Sequence, residues 1–152
     1  QIGLEIEERK EINNLLENVM LTNHPALKKG VSDTLSTLSV DYNLGMISDT
    51  GITPGRIIRE VLKDYNILDF FDVTVFSDET GFRKPHPIAF KTALNHLDTI
   101  PRNAIHVGDL LGTDIKGAID YKMQAVWIRD PQTQNPGNIA PDYEISEIPE
   151  VL

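Results

Sequence analysis

The chain has 152 residues, 40% hydrophobic and 24% charged, with 10 Gly, 9 Pro and no Cys; this suits one globular domain with its own core and excludes collagen-like, low-complexity, disulfide-stapled and thiolate-metal proteins. Its 14 Lys and Arg stand against 23 Asp and Glu, a formal charge of -9, which argues against diffuse binding to a phosphate backbone but leaves room for a small anionic ligand beside a local cation. No apolar run is long enough to cross a bilayer, and residues 1–11, acidic and basic by turns, do not read as a signal peptide, so a cytoplasmic protein is expected.

Residues 4–20 carry Ile12, Leu15, Leu16, Val19 and Met20 at helical spacing. The pattern already runs near Gln1, as in a piece of a longer protein, and His24-Pro25 ends it. Val31, Leu35 and Leu38 mark a short second helix. Residues 43–47 (N-L-G-M-I) form an apolar run that ends in Ser48-Asp49-Thr50-Gly51, a buried strand feeding a loop. Pro54 opens the next helix in its first turn, with Ile57, Ile58, Val61, Leu62 and Tyr65 on one face. Val73–Phe76 is a strand by its β-branched and aromatic content. Residues 77–86 read as a polar loop, and Ile88, Phe90, Ala93, Leu94 and Leu97 as a helix. Residues 104–107 form a strand that stops at Gly108-Asp109; Ile115, Ala118 and Ile119 follow as a helix, and Gln124–Ile128 is the next strand. Beyond Arg129 the prolines and acids predict a surface-hugging tail with one short strand near Tyr143–Ile145.

The alternation of strands and helices predicts an α/β fold, a Rossmann-like parallel sheet with helices on both faces. Right-handed crossovers put all strand C-termini on one edge, outside which ligands bind. The polar clusters fall at those ends. Ser48 offers a hydroxyl, followed by N–H groups that can cradle a phosphate oxygen. Lys84, between Arg83 and Pro85, is a point cation able to neutralise phosphoryl charge. Asp109 and Asp114, five apart in G-D-L-L-G-T-D, are hard carboxylates of the kind that Mg²⁺ prefers. Hydroxyl, ammonium and paired carboxylates make a phosphoryl-transfer set that still lacks a nucleophile.

These segments resemble the haloacid dehalogenase (HAD) superfamily over residues 25–128. L-G-M-I-S-D-T-G resembles its second motif, F-S-D-E-T-G-F-R-K-P-H-P-I-A-F its third and I-H-V-G-D-L-L-G-T-D-I-K-G-A its fourth. The resemblance implies a magnesium-dependent phosphatase acting on a small phosphorylated substrate. Ser48 and Lys84 then bind phosphate, Lys84 and Asp109 are catalytic, and Asp109 and Asp114 are the metal ligands. Asp49, grouped with the phosphate-binding residues, stands where the family often has Asn. The family's first motif, D-x-D-x-T after a central strand, does not occur in these 152 residues; its first Asp is the family's covalent nucleophile. The resemblance therefore implies that the nucleophile comes from a missing N-terminal segment, that the chain alone is inactive, and that residues 1–22 end a cap, 23–130 form the core and 131–152 a tail packed on it.

Each residue has a plainer reading. Ser48 alone is a turn cap, Lys84 a solvated loop lysine, Asp109 an N-cap and Asp114 a first-turn acid; only the order of all of them together favours a site. His106 and Trp127 read as core, His86 as loop structure, Asp78 and Glu79 as structural. Two other functions stand beside the phosphatase: a non-catalytic HAD-like binding module, and a nucleotide-cofactor module, which the absence of G-x-G-x-x-G disfavours.

Overall fold

A computed structural model describes residue 3 and residues 5–135 and 138–152. Residues 1, 2 and 4, where the first helical pattern begins, lie outside the described residues. Helix α1 runs Ile6–Glu17, opened by a reciprocal capping box between Glu5 and Glu8. It buries none of its side chains: Ile12, Leu15 and Leu16 are 41%, 67% and 45% exposed. The single helix expected over 4–20 is instead broken at Asn18, whose side-chain amide turns back onto the Asn14 carbonyl at 2.6 Å. A four-residue helix α2, Val19–Thr22, follows and packs on the helix formed by residues 55–64.

Helix α3 (Val31–Asp41) leads to strand β1 (Gly45–Ser48), helix α4 (Gly55–Asp64) and strand β2 (Val73–Phe76). Pro54 stands one place before α4, as an extended N-cap, rather than inside its first turn. The polar loop expected after β2 starts with one helical turn, α5 (Ser77–Thr80). Helix α6 (Pro87–His96) opens on Pro87, with His86 Nδ1 accepting the Ile88 N–H at 3.3 Å. Strand β3 (Ile105–Gly108), a turn of π-helix (Leu111–Ile115), helix α7 (Lys116–Asp120), strand β4 (Gln124–Ile128) and strand β5 (Tyr143–Ile145) complete the order.

All strand pairs are parallel, as the unbroken apolar strands predict. The strands nevertheless fall into two ladders, β1–β2 and β3–β4–β5, with no hydrogen bonds between them. Among the described residues, β1 and β3 each keep one edge without a strand. Helix α6 ties the halves together by packing on β1, β2 and α7. Its Phe90 is fully buried with Ile115, Ala118, Ala125 and Trp127, and Ile47 of β1 packs against this cluster. Gly117 lets α7 approach α6: a Cβ there would lie 2.6 Å from the Phe90 ring. Residues of the tail reach back through β5 and through a 3₁₀ turn (Ile148–Val151) that rests on α3.

Candidate active site

Three loops meet at the strand C-termini. Lys84 comes from the loop that follows α5. Its ammonium donates to the Ile47 carbonyl of β1 at 2.8 Å and lies 2.9 Å from Asp114 Oδ1. The pair is largely dry, the two side chains being 11% and 5% exposed. The Lys84 backbone N–H donates to Asp49 Oδ1 at 3.0 Å. Asp114 Oδ2 in turn accepts the N–H groups of Asp109 (3.2 Å) and Leu110 (3.0 Å). Asp49, Lys84, Asp114 and Asp109 are thus joined by direct contacts, and one ammonium links the end of β1 to the turn after β3.

The local backbone explains why this geometry forms. The π-helical turn after Leu110 bends Asp114 back over the N–H groups that follow β3, and π turns recur where a helix must re-aim a side chain. Gly108 is required beneath it, because a Cβ there would stand 2.4 Å from Asp114 Cβ. Trp127 of β4, fully buried, donates its indole N–H to the Asp109 carbonyl at 3.0 Å and pins the same turn. The loop after β1 is held separately. Thr50 N–H donates to Ser77 Oγ at 2.9 Å, and its hydroxyl to Asp78 Oδ1 at 3.0 Å. Asp78 also accepts the first N–H of α4, and Glu79 pairs with Arg59. Both acids are structural, as the sequence reading has them.

Burial alone raises the Asp114 carboxyl, but the facing His106 ring, the Lys84 ammonium and the Leu110 N–H outweigh it and hold the group well below the ordinary carboxylate range. His106 Nε2 stands 3.9 Å away, too long for a hydrogen bond, so the Lys84 contact is the stronger one on Oδ1. His106 departs from its expected reading: it is not a satisfied core histidine, since Nε2 is buried without a hydrogen-bond partner. The signal for its placement was present in the alternation of β3, which sets His106 on the same face as Gly108 and therefore towards Asp114.

Ser48 ends β1, half-buried between Ile47 and Asp49, and its hydroxyl makes no hydrogen bond among the described residues. Asp49 points at the Lys84 backbone. Asp109 is exposed, and with Leu110, Gly112, Thr113, Asp130 and Thr133 it lines a cavity of about 510 Å³.

The two carboxylates expected to hold a metal are not equivalent. Asp114 is engaged within the chain on both sides: Oδ2 accepts two N–H groups, and Oδ1 is paired by charge with Lys84 but accepts no hydrogen bond. Asp109 presents an exposed hard carboxylate, a fitting donor for Mg²⁺, which binds through one or two carboxylates and keeps several waters. Among the described residues no group of three His, Cys, Asp or Glu is gathered that would cage a metal unaided. The set fits Mg²⁺ as part of a coordination shell whose other ligands are water, phosphate or further carboxylates.

A dry lysine, a buried aspartate behind it and an exposed aspartate in front thus lie together at the strand C-termini, the edge at which parallel α/β folds bind their ligands. Residues 2–128 match the family model for haloacid dehalogenase-like hydrolases, and the chain belongs to that family. It is 35% identical over 127 residues to a glyceraldehyde 3-phosphate phosphatase of Pyrococcus furiosus, covering 81% of this chain and 52% of the relative. It is 34% identical over 148 residues to the enzyme of that name from Methanothermobacter thermautotrophicus, covering 88% of this chain and 64% of the relative. Among solved structures, a HAD phosphatase from Thermococcus onnurineus superposes with a TM-score of 0.75 at 30% identity, over 98% of this chain and 63% of its own. The magnesium-bound HAD-hydrolase YfnB of Bacillus subtilis shares the fold, with a TM-score of 0.76 at 22% identity over 94% of this chain and 71% of its own. The chain spans about half the length of the curated relatives it matches.

Proposed function

We propose that this chain is the greater part of the catalytic core of a magnesium-dependent phosphatase acting on a small phosphorylated metabolite. The observation that carries the reading is the Lys84 ammonium, hydrogen-bonded to the Ile47 carbonyl at 2.8 Å and ion-paired with Asp114 at 2.9 Å, at the strand-end rim where Ser48 closes β1 and Asp109 follows β3. In this reading Ser48 binds a phosphoryl oxygen, and Lys84 offsets the charge that builds on the equatorial oxygens. Asp49 supports the phosphate site by orienting the Lys84 backbone. Asp109 is the metal ligand, and Asp114 backs it by fixing the turn. Mg²⁺, when bound, supplies positive charge against the phosphoryl oxygens. The nucleophile is a carboxylate from outside these 152 residues. It attacks phosphorus, the alcohol leaves, and water then releases phosphate from the aspartyl phosphate.

The open edges of β1 and β3 support the same reading, because one parallel strand between them would pair both and bring its C-terminal end to the rim. Residues 1–22 then close a cap, 23–130 form the core and 131–152 a tail laid on it. That two relatives are named glyceraldehyde 3-phosphate phosphatase supports a small sugar-like substrate. A cytoplasmic setting accords with a chain free of Cys.

The test is hydrolysis of p-nitrophenyl phosphate with Mg²⁺, by this chain and by the full product of its gene. Activity confined to the full product, and lost on Lys84→Ala, is expected. No hydrolysis by either, together with no D-x-D upstream, would favour a HAD-like binding module instead.

A further inference from the structure

Lys84 faces a conflict in the proposed reaction. Its ammonium donates to the Ile47 carbonyl and pairs by charge with Asp114 Oδ1, an oxygen that accepts no hydrogen bond, yet it must turn towards an arriving phosphoryl oxygen. Turning strips Asp114 Oδ1 of its cation in a site that is almost dry. A buried carboxylate oxygen without a partner is strongly disfavoured, so the lysine is held back unless another donor takes its place.

His106 stands in that place. It lies in the middle of β3, opposite Ala125 of β4. Its side chain is 12% exposed, and Nε2 sits 3.9 Å from Asp114 Oδ1 on a nitrogen that has no hydrogen-bond partner. The ring is held edge-on against the buried Phe90, with centroids 5.2 Å apart at 79°. An unpartnered buried ring nitrogen calls for an explanation, and its aim at the one oxygen that Lys84 must release supplies one. The other Asp114 oxygen is already fixed by the Asp109 and Leu110 N–H groups, so the carboxylate needs to move little to meet the ring.

We propose that His106 is a positioning residue for Lys84: its Nε2–H is a reserve donor that takes over Asp114 Oδ1 when the ammonium swings to the phosphoryl group. The ring acts only as a hydrogen-bond donor through Nε2–H, and no proton is transferred. The consequence for hydrolysis rests on the phosphatase reading; the exchange of donors rests on the geometry alone.

Two measurements on the full gene product test it. The first is kcat for p-nitrophenyl phosphate in His106→Leu, which fills the space without a donor, and in His106→Gln, which carries an N–H at a comparable reach. His106→Leu lowers kcat by about 10- to 100-fold, the range for groups that orient a functional side chain from behind, and His106→Gln restores most of it. The second needs no turnover: the rate at which an acylating reagent labels the Lys84 amine, read by mass spectrometry against the exposed Lys91. Without the reserve donor Lys84 leaves Asp114 less readily, so labelling slows several-fold in His106→Leu and recovers in His106→Gln. A merely structural histidine predicts the opposite sign, because a loosened core exposes Lys84 and speeds labelling. Labelling that is unchanged or faster in His106→Leu overturns the proposal. If that variant does not fold, His106→Asn, too short to reach, takes its place against His106→Gln, and equal labelling in those two overturns it as well. Slowed labelling with no phosphatase activity in the parent would sink the phosphatase reading and leave the donor exchange standing.

Discussion

Asp109 and Asp114 share one turn and stand in unlike surroundings. Five-residue spacing from Asp109 suggests two matching metal ligands. The structure divides them: Asp109 faces outward, and Asp114 is turned inward onto two N–H groups and one ammonium. Lys84→Met tests that division. It removes the cation and leaves a carboxylate that is 5% exposed, a change that costs about 3–5 kcal/mol when a buried pair is broken from one side. The loss depends on pH. Asp114 is held below the ordinary carboxylate range when folded, so it contributes stability above its unfolded value of about 3.9 and loses that contribution as pH falls through and below that value. In Lys84→Met the carboxyl takes up its proton more readily. Urea midpoints of the full product are therefore expected to differ most between parent and variant at neutral pH and to converge in acid. A gap of equal size under both conditions would show that the pair is not what stabilises the turn.

The turn after β3 places the acidic residues, and it is built against one glycine. Gly108→Ala puts a methyl group 2.4 Å from Asp114 Cβ. The turn must move, at about 1–3 kcal/mol for an overpacked position, and Lys84 loses its anchor with it. The expected outcome is a fall in kcat larger than the fall in melting temperature would suggest; intact activity in a stable Gly108→Ala protein would count against the clamp. This element also marks the limit of what pattern reading reaches. Val73–Phe76, Gln124–Ile128 and Tyr143–Ile145 were visible as strands because β-branched and aromatic side chains suit a pleated, buried surface. The helix around Ile115 was visible by its period. The π-helical turn before it was not, because a five-residue backbone bond leaves no trace in apolar spacing and arises here from Asp114 reaching back to the Asp109 and Leu110 N–H groups. The break at Asn18 was hidden for a similar reason: a side-chain bond to the Asn14 carbonyl interrupts a helix whose apolar spacing continues through it. His106 was visible as a β3 residue, but the carboxylate it faces lies eight residues away on a turn that the sequence does not draw.

The two ladders leave this chain with surfaces that an isolated domain usually covers. Among the described residues β1 and β3 carry open edges, and an open edge is a template for pairing with another chain. Helices α1 and α2 add exposed apolar side chains, with Leu15 67% and Val19 48% exposed. Contiguous apolar surface of this kind marks contact sites or association. The formal charge of -9 opposes association through long-range repulsion, but salt shortens its reach to about 8 Å at physiological ionic strength, while apolar contact is not screened. The balance therefore tips with salt. Sedimentation of the 152-residue chain should reveal self-association that strengthens as concentration and ionic strength rise, whereas a full gene product in which the proposed strand pairs both edges should stay at one size across the same range. A strictly monomeric short chain at high salt would mean that the open edges are protected in some other way, and the case for a strand between β1 and β3 would lose its physical motive.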